Sequence, residues 1–259
     1  VKTPHCNINL YNSGKLLIQG KGAKDWVEFT LEPIVLQEVT LNYEKEINPE
    51  ISQAHMGIDE SGKGDFLGPL VIASAYIDEE LYPEFIKMGV TDSKAIKSDK
   101  KIKAIASDLR QSLGNRYSIV KVGNERYNEL YKKFANLNKL LAWGHATAIE
   151  NLLEIIPDCP RALSDKFGPE NRIKSALKEK GRKIILDQKV RGESDPAVAA
   201  ASILARDGFV QAMDDLSQEY GIEFRKGVSP QVKTAAQELI KKYGPEILQK
   251  TAKCHFKTC

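Results

Sequence analysis

The stretch PLVIASAYID, residues 69–78, does most to limit the fold. It is far shorter than the ~18–20 apolar residues of a membrane span, and no apolar run in the chain approaches that length. Its apolar residues run in succession instead of alternating, so the strand they form is buried on both faces. Such a strand needs neighbours beside it and helices above and below. The sequence offers both. AHMGID (54–59), RYSIVKVG (116–123), RALSDKF (161–167) and KIILDQK (183–189) have strand patterns. SDKKIKAIASDLRQSLG (98–114) is helical, with Ser98 as N-cap and Gly114 as stop. Residues 124–156 form a long helical stretch, open to a break at Asn136-Leu-Asn138 or at Gly144 and ended by Pro157. PENRIKSALKEKG (169–181) is a short amphipathic helix. The helix from 196 has Ser194 or Asp195 as cap and Pro196 in its first turn. Its AVAAAS face is small and should lie tightly on a sheet. SPQVKTAAQELIKKYG (229–244) is a further capped helix. Three opening strands joined by short links suggest an antiparallel meander, and the later strand–helix alternation suggests parallel strands. The expected product is an α/β fold, a mixed sheet with helices on both faces.

Before this sheet lies a different region. Residues 5–20 alternate around Asn12-Ser13-Gly14, a hairpin signal. WVEFTLEPIVLQ (26–37) is a short helix or strand, and YEKEINPEISQAH (43–55) is linker-like. The chain therefore divides into a small N-terminal module, 1–50, and a main domain, 51–259.

Charge and cysteine content narrow the function classes. The 259 residues are 42% hydrophobic and 28% charged with net charge +3, as in ordinary globular proteins. The basic excess is local: from Arg225 onward eight Lys/Arg face only Glu238 and Glu246, so that end could meet a polyanion. The first 55 residues hold five Lys against seven acids. Cys6, Cys159, Cys254 and Cys259 lack zinc spacing and are expected as free thiols or a chance disulfide in a cytoplasmic protein. The start, VKTPHCNINL, has neither a signal-peptide core nor an initiator Met, which fits a processed or trimmed chain.

Four acids are placed unlike the rest. Asp59 and Glu60 end the first strand of the main domain, Asp165 ends a later strand, and Glu193 precedes the small-faced helix. Strand ends of this kind point into one crevice in α/β sheets. Carboxylates gathered there repel unless cations neutralise them, and all-oxygen donors favour Mg²⁺ or Mn²⁺. Separate caps, turns and surface acids are the competing explanation. The glycines of ESGKGDFLG fit neither nucleotide motif. Gly64 follows Lys63 where a P-loop needs Ser or Thr, and Gly68 comes one position late for the dinucleotide fingerprint. What remains is a tight loop with exposed backbone, able to approach a nucleic-acid strand closely.

GIDESGKGDFLGPLVIA resembles the opening motif of the ribonuclease HIII family, in the type 2 branch of ribonuclease H. VTDSK (90–94), the NLNKLLAWGHA block, ALSDKF, RGESDPAVAAASILAR, FRKGVS and CHFK match in order, over roughly residues 54–257. The resemblance implies a ribonuclease H-like five-stranded mixed sheet preceded by a small α+β domain similar to a TATA-binding-protein repeat, used to hold substrate. It implies cleavage of the RNA strand of RNA–DNA hybrids with Mg²⁺ or Mn²⁺, leaving 5′-phosphate and 3′-hydroxyl ends. Excision at single ribonucleotides in DNA, as by ribonuclease HII, is the alternative. By this resemblance Asp59, Glu60, Asp165 and Glu193 are the catalytic metal ligands, with Asp195 competing for the fourth place. Gly62, Lys63 and Gly64 read the 2′-OH, and Ser93 and Lys94 contact phosphate. Asp65 is expected to stabilise the loop, and Asp187 to be a turn residue. A monomer without membrane contact is expected.

Overall fold

The computed structural model describes residues 5–27, 30, 31, 35, 49–90, 93–165, 171–177, 181–189 and 192–256. The chain separates into two compact units, Val1–Pro49 and Glu50–Cys259. In the first, β1 (Asn7–Leu10) and β2 (Leu16–Gln19) form the expected antiparallel hairpin, followed by one helical turn, Ala23–Trp26. The turn closes through Gly14, whose φ of 81° suits glycine. Most of WVEFTLEPIVLQ and the linker from 43 to 48 lie outside the described residues.

In the second unit the strands are β3 (His55–Ser61), β4 (Leu70–Ile77), β5 (Tyr117–Val122), β6 (Arg161–Asp165) and β7 (Ile185–Lys189). They form a sheet of order β5-β4-β3-β6-β7. β4 is antiparallel to β3 and β5, whereas β6 is parallel to β3 and β7 is parallel to β6. The mixed sheet is as expected, with one correction. The third antiparallel strand arrives by no short link. Two helices intervene between β4 and β5: α1 (Leu81–Lys87) and α2 (Asp99–Leu113). Ser98 caps α2 by accepting from the Lys101 amide, and Gly114 ends it at φ 60°.

The long helical stretch is two helices, α3 (Asn124–Phe134) and α4 (Leu137–Ile155). The chain turns at Ala135, which is left-handed, and Asn136 then caps α4. Gly144 does not break α4; it lets the helix lie against the sheet, since a Cβ there would stand 2.6 Å from Ile72 Cδ1. α5 (Asn171–Ala176) follows β6, and α6 (Pro196–Tyr220) follows β7. α7 (Pro230–Tyr243) and α8 (Ile247–Thr251) complete the unit.

The sheet carries a core on each face. Met56, Ile58, Leu70 and Ile72 pack with Leu140, Leu141 and Ile149 of α4. Val71, Ala73 and Ala75 pack with Ala197, Ala200, Ala201 and Leu204 of α6 and with α2 and α7. The small face of α6 brings backbone against backbone: a Cβ on Gly57 would fall 2.1 Å from the Ala197 carbonyl carbon. This contact sets the start of α6, and the turn before it, over the end of β3.

Candidate active site

Consecutive residues of a strand point to opposite faces. Asp59 therefore turns toward α6, where it bonds the Ser202 side chain, and its Oδ1 accepts from the Glu60 amide at 2.8 Å. Burial pushes the Asp59 carboxyl up to about 7, helped by the Glu60 charge and opposed by the Ser202 bond. Glu60 turns toward α4. Its Oε2 lies 2.9 Å from His145 Nε2 and its Oε1 3.4 Å from Lys63 Nζ. Burial raises the Glu60 carboxyl, but the His145 bond and charge and the nearby Lys63 outweigh it and hold the group below its usual range. His145 is fully buried, and its Nδ1 lies 3.1 Å from Ser164 Oγ, whose hydroxyl donates to the Asp165 carbonyl. One imidazole thus ties the ends of β3 and β6 together.

The parallel register pairs Ile58 with Ser164 and so sets Asp59 beside Asp165. Asp165 Oδ1 accepts from the Gly192 amide at 3.1 Å, and a Cβ on Gly192 would stand 3.0 Å from Asp165 Cα. Glu193 follows at once, half-buried in the single turn Gly192–Ser194. Its competitor Asp195 is committed elsewhere. It caps α6 through the Ala197 and Val198 amides, and both its oxygens stand 3.0 Å from Nε2 of the buried His55. Asp187, expected in a turn, instead sits inside β7 opposite Leu163.

The chain's own groups bear on whether this set suits a divalent cation. All four acids offer hard oxygens. Asp59 is buried without an ion-pair partner among the described residues, the state a cation would relieve. Among the described residues no three His, Cys, Asp or Glu side chains already converge as a cage. Asp59 and Glu60 leave opposite faces of β3, and His145 and Lys63 hold the Glu60 carboxylate. The donors fit the cation in kind, with the Glu60 carboxylate oriented at the end of β3 by His145 and Lys63. Cys254 and His255 form no comparable set: Cys254 meets Asn128, and the His255 ring stacks on Tyr131 at 4.3 Å.

The glycine loop divides into inner and outer parts. Gly62, at φ 87°, is buried, and a Cβ there would meet Pro69 O at 2.3 Å. Gly64 is exposed with nothing within 4 Å of a Cβ, so no contact inside the protein requires glycine there. Asp65 Oδ1 accepts from the Gly227 amide at 2.5 Å, the loop-stabilising contact expected of it. Ser93 is buried, with its Oγ 2.7 Å from Ser202 Oγ, so it lies one bond behind the hydroxyl that holds Asp59. Arg206 secures that segment by donating to the Ser93 and Ile96 carbonyls and to Asp99. Lys94 is exposed, and Thr91 and Asp92 lie outside the described residues. Sequence reasoning passed over His145, Ser202, Arg206 and Lys253 as site residues. The signal for the first two was a polar residue on an otherwise apolar helix face, in AWGHATA and AVAAAS.

A family model described as Ribonuclease HII matches residues 56–259. A protein named Ribonuclease HIII from Protochlamydia amoebophila is 44% identical over 96% of this chain and 81% of its own length. Its namesake from Chlamydia felis is 44% identical over 99% and 84%. The crystal structure of Bst-RNase HIII in complex with Mn²⁺ superposes with a TM-score of 0.77 at 29% identity, covering 100% of this chain and 85% of the other. That of Aquifex aeolicus RNase H3 gives 0.65 at 30% identity, covering 99% and 87%. The chain belongs to the ribonuclease HII family, on the branch of the proteins named ribonuclease HIII.

Proposed function

We propose that this protein hydrolyses the RNA strand of RNA–DNA hybrids with Mg²⁺ or Mn²⁺, leaving 5′-phosphate and 3′-hydroxyl ends. The observation that carries this is the parallel β3–β6 register, whose last pair, Ile58 and Ser164, is followed on the two strands by Asp59 and Asp165, and the Gly192 amide next to Glu193 bonds Asp165. Asp59, Glu60, Asp165 and Glu193 are the groups that would hold the cations. When bound, divalent cations activate a water and stabilise the leaving oxygen of a phosphodiester. The chain's own residues prepare that chemistry. Ser202 and the Glu60 amide orient Asp59, and His145 orients Glu60. The open backbone at Gly64, beside Gly62 and Lys63, suits contact with a ribose 2′-OH, the group that tells RNA from DNA. Ser93 backs Asp59 through Ser202, and the exposed Lys94 would meet phosphate from the segment's outer side.

The division of labour extends to the N-terminal unit, whose hairpin exposes Leu10, Tyr11 and Leu16 beside Lys15 as a surface for holding the duplex. The protein works as a cytoplasmic monomer; among the described residues Cys6, Cys159 and Cys254 form no disulfide. Among the described residues no helix is long and apolar enough to cross a membrane. Three duplexes test the reaction in Mg²⁺ and in Mn²⁺: an RNA–DNA hybrid, DNA with a single ribonucleotide, and all-DNA. Cleavage of the hybrid alone is expected. Equal cutting of all-DNA would overturn the assignment, and preferential cutting at the single ribonucleotide would move it to the ribonuclease HII type.

A further inference from the structure

Lys253 is fully buried, a rare place for a lysine, and the metal chemistry does not use it. It belongs to a short segment that pairs with the glycine loop. The Gly68 amide donates to Thr251 O at 2.9 Å, and the Lys253 amide donates to Phe66 O at 2.8 Å. Leu67 and Ala252 form an antiparallel bridge between them. The Lys253 side chain then reaches under the loop. Its Nζ donates to Asp65 O at 2.9 Å and to Gly68 O at 2.6 Å, and stands 5.7 Å from the centre of the Tyr127 ring. Gly68 O also accepts from Asn124 Nδ2 at 2.8 Å.

This placement is costly. Burial pushes the amine down to about 7, with the Asp65 carboxylate pulling it back up. Tyr127 from α3 and His255 from the C-terminal segment are the other titratable groups in this neighbourhood. An apolar side chain would avoid the cost but would leave the buried Gly68 carbonyl and the part-buried Asp65 carbonyl with fewer donors. The loop is thereby fixed from its inner side while Gly64 stays open on its outer side.

We propose that Lys253 is a positioning residue for the ribose-reading loop. Its side-chain nitrogen bridges the Asp65 and Gly68 carbonyls, sets the backbone course of residues 62–68, and so sets the preference for an RNA strand over a DNA strand. The proposal rests on the assignment of Gly62, Lys63 and Gly64 to ribose contact.

Lys253→Met removes the donors while keeping an apolar chain of similar length, and Lys253→Gln restores an amide donor. Leu152→Ala, in the core on the other face of the sheet, serves as a stability control. KM and kcat are measured on the hybrid with the full chain. Binding of hybrid and all-DNA duplex is measured in an Asp59→Asn background. Lys253→Met is expected to raise KM about tenfold and to shrink the hybrid-over-DNA binding ratio by a similar factor, with kcat within about twofold. Lys253→Gln should recover part of both, and Leu152→Ala should lower Tm and move neither. An unchanged KM and binding ratio in Lys253→Met, or an equal change in Leu152→Ala, overturns the proposal. If Lys253→Met fails to melt cooperatively, the binding ratio of Lys253→Gln decides by the same criterion. An Asp59→Asn parent with no hybrid preference removes the ribose assignment before Lys253 is altered, and the proposal with it.

Discussion

Asp59 and Lys253 are buried groups at the two ends of one functional stretch, and their environments drive them in opposite directions. Asp59 lies in β3 under α6, and burial with Glu60 nearby pushes its carboxyl up to about 7. Lys253 lies behind the glycine loop, and burial pushes its amine down to about 7. The partners differ more than the burial. Lys253 has two backbone carbonyls as acceptors and a structural task already complete in the folded chain. Asp59 has a hydroxyl and one amide, and no ion pair among the described residues. A buried ionisable group with its partners in place is holding structure together. One whose charge is left uncompensated is positioned for a partner from outside.

The widest separation between these regions is expected in turnover. Asp59→Asn or Asp165→Asn should abolish hybrid cleavage while hybrid binding, assayed by gel shift, survives. Near-wild-type turnover by either variant would break the distinction. The glycine loop should respond chiefly in stability. Gly62→Ala forces a Cβ into Pro69 O at φ 87° and should cost about 3 kcal/mol in urea unfolding. Gly64→Ala should stay within about 0.5 kcal/mol of wild type yet weaken hybrid binding.

Titration offers a smaller and more direct contrast. A carboxyl raised from its usual 3.8 to about 7 holds a proton longer in the folded than in the unfolded chain. Metal-free stability therefore falls on its account as pH rises from about 4 to about 7. An amine lowered from its usual 10.5 to about 7 loses its proton earlier in the folded chain. On its account stability climbs as pH rises from about 7 to about 10. Melts of metal-free protein should show a trough near neutrality on the order of 2 kcal/mol deep. Asp59→Asn should flatten its acid side and Lys253→Met its alkaline side; a trough unaltered by either variant would count against both assignments. The smallest effect concerns His145. His145→Gln should weaken Mn²⁺ affinity about tenfold, read from the metal dependence of Tm, by loosening Glu60. No change would limit the imidazole to packing.

Much of this was legible in local sequence. The doubly apolar run of β4, the Ser98 and Gly114 boundaries of α2, the small face of α6 and the hairpin at Gly14 each follow from residue type and spacing. Three features were not. Gly144 looked like a helix breaker until its packing against Ile72 was known, because close approach is a property of two elements together. Asp187 looked like a turn residue because the pattern around it does not reveal its partner strand. Asp195 and Glu193 could not be told apart by spacing. Spacing offers Asp195 as a cap alongside Ser194, and only the position of His55, far away in the chain, shows that its carboxylate is buried and engaged at both oxygens.

By itself the sequence determined the five strands of the main sheet, most of its helices, and that both faces of the sheet are covered, and it singled out Asp59, Glu60 and Asp165 at strand ends. Those outcomes depend on periodicity and capping, which act over a few residues. Tertiary structure alone decided that Asp59 and Glu60 face different helices, that His145 and Ser202 hold them, and that a lysine near the C-terminus fixes the glycine loop. These depend on register and burial between distant segments, where desolvation and hydrogen-bond geometry set the charge and direction of each group.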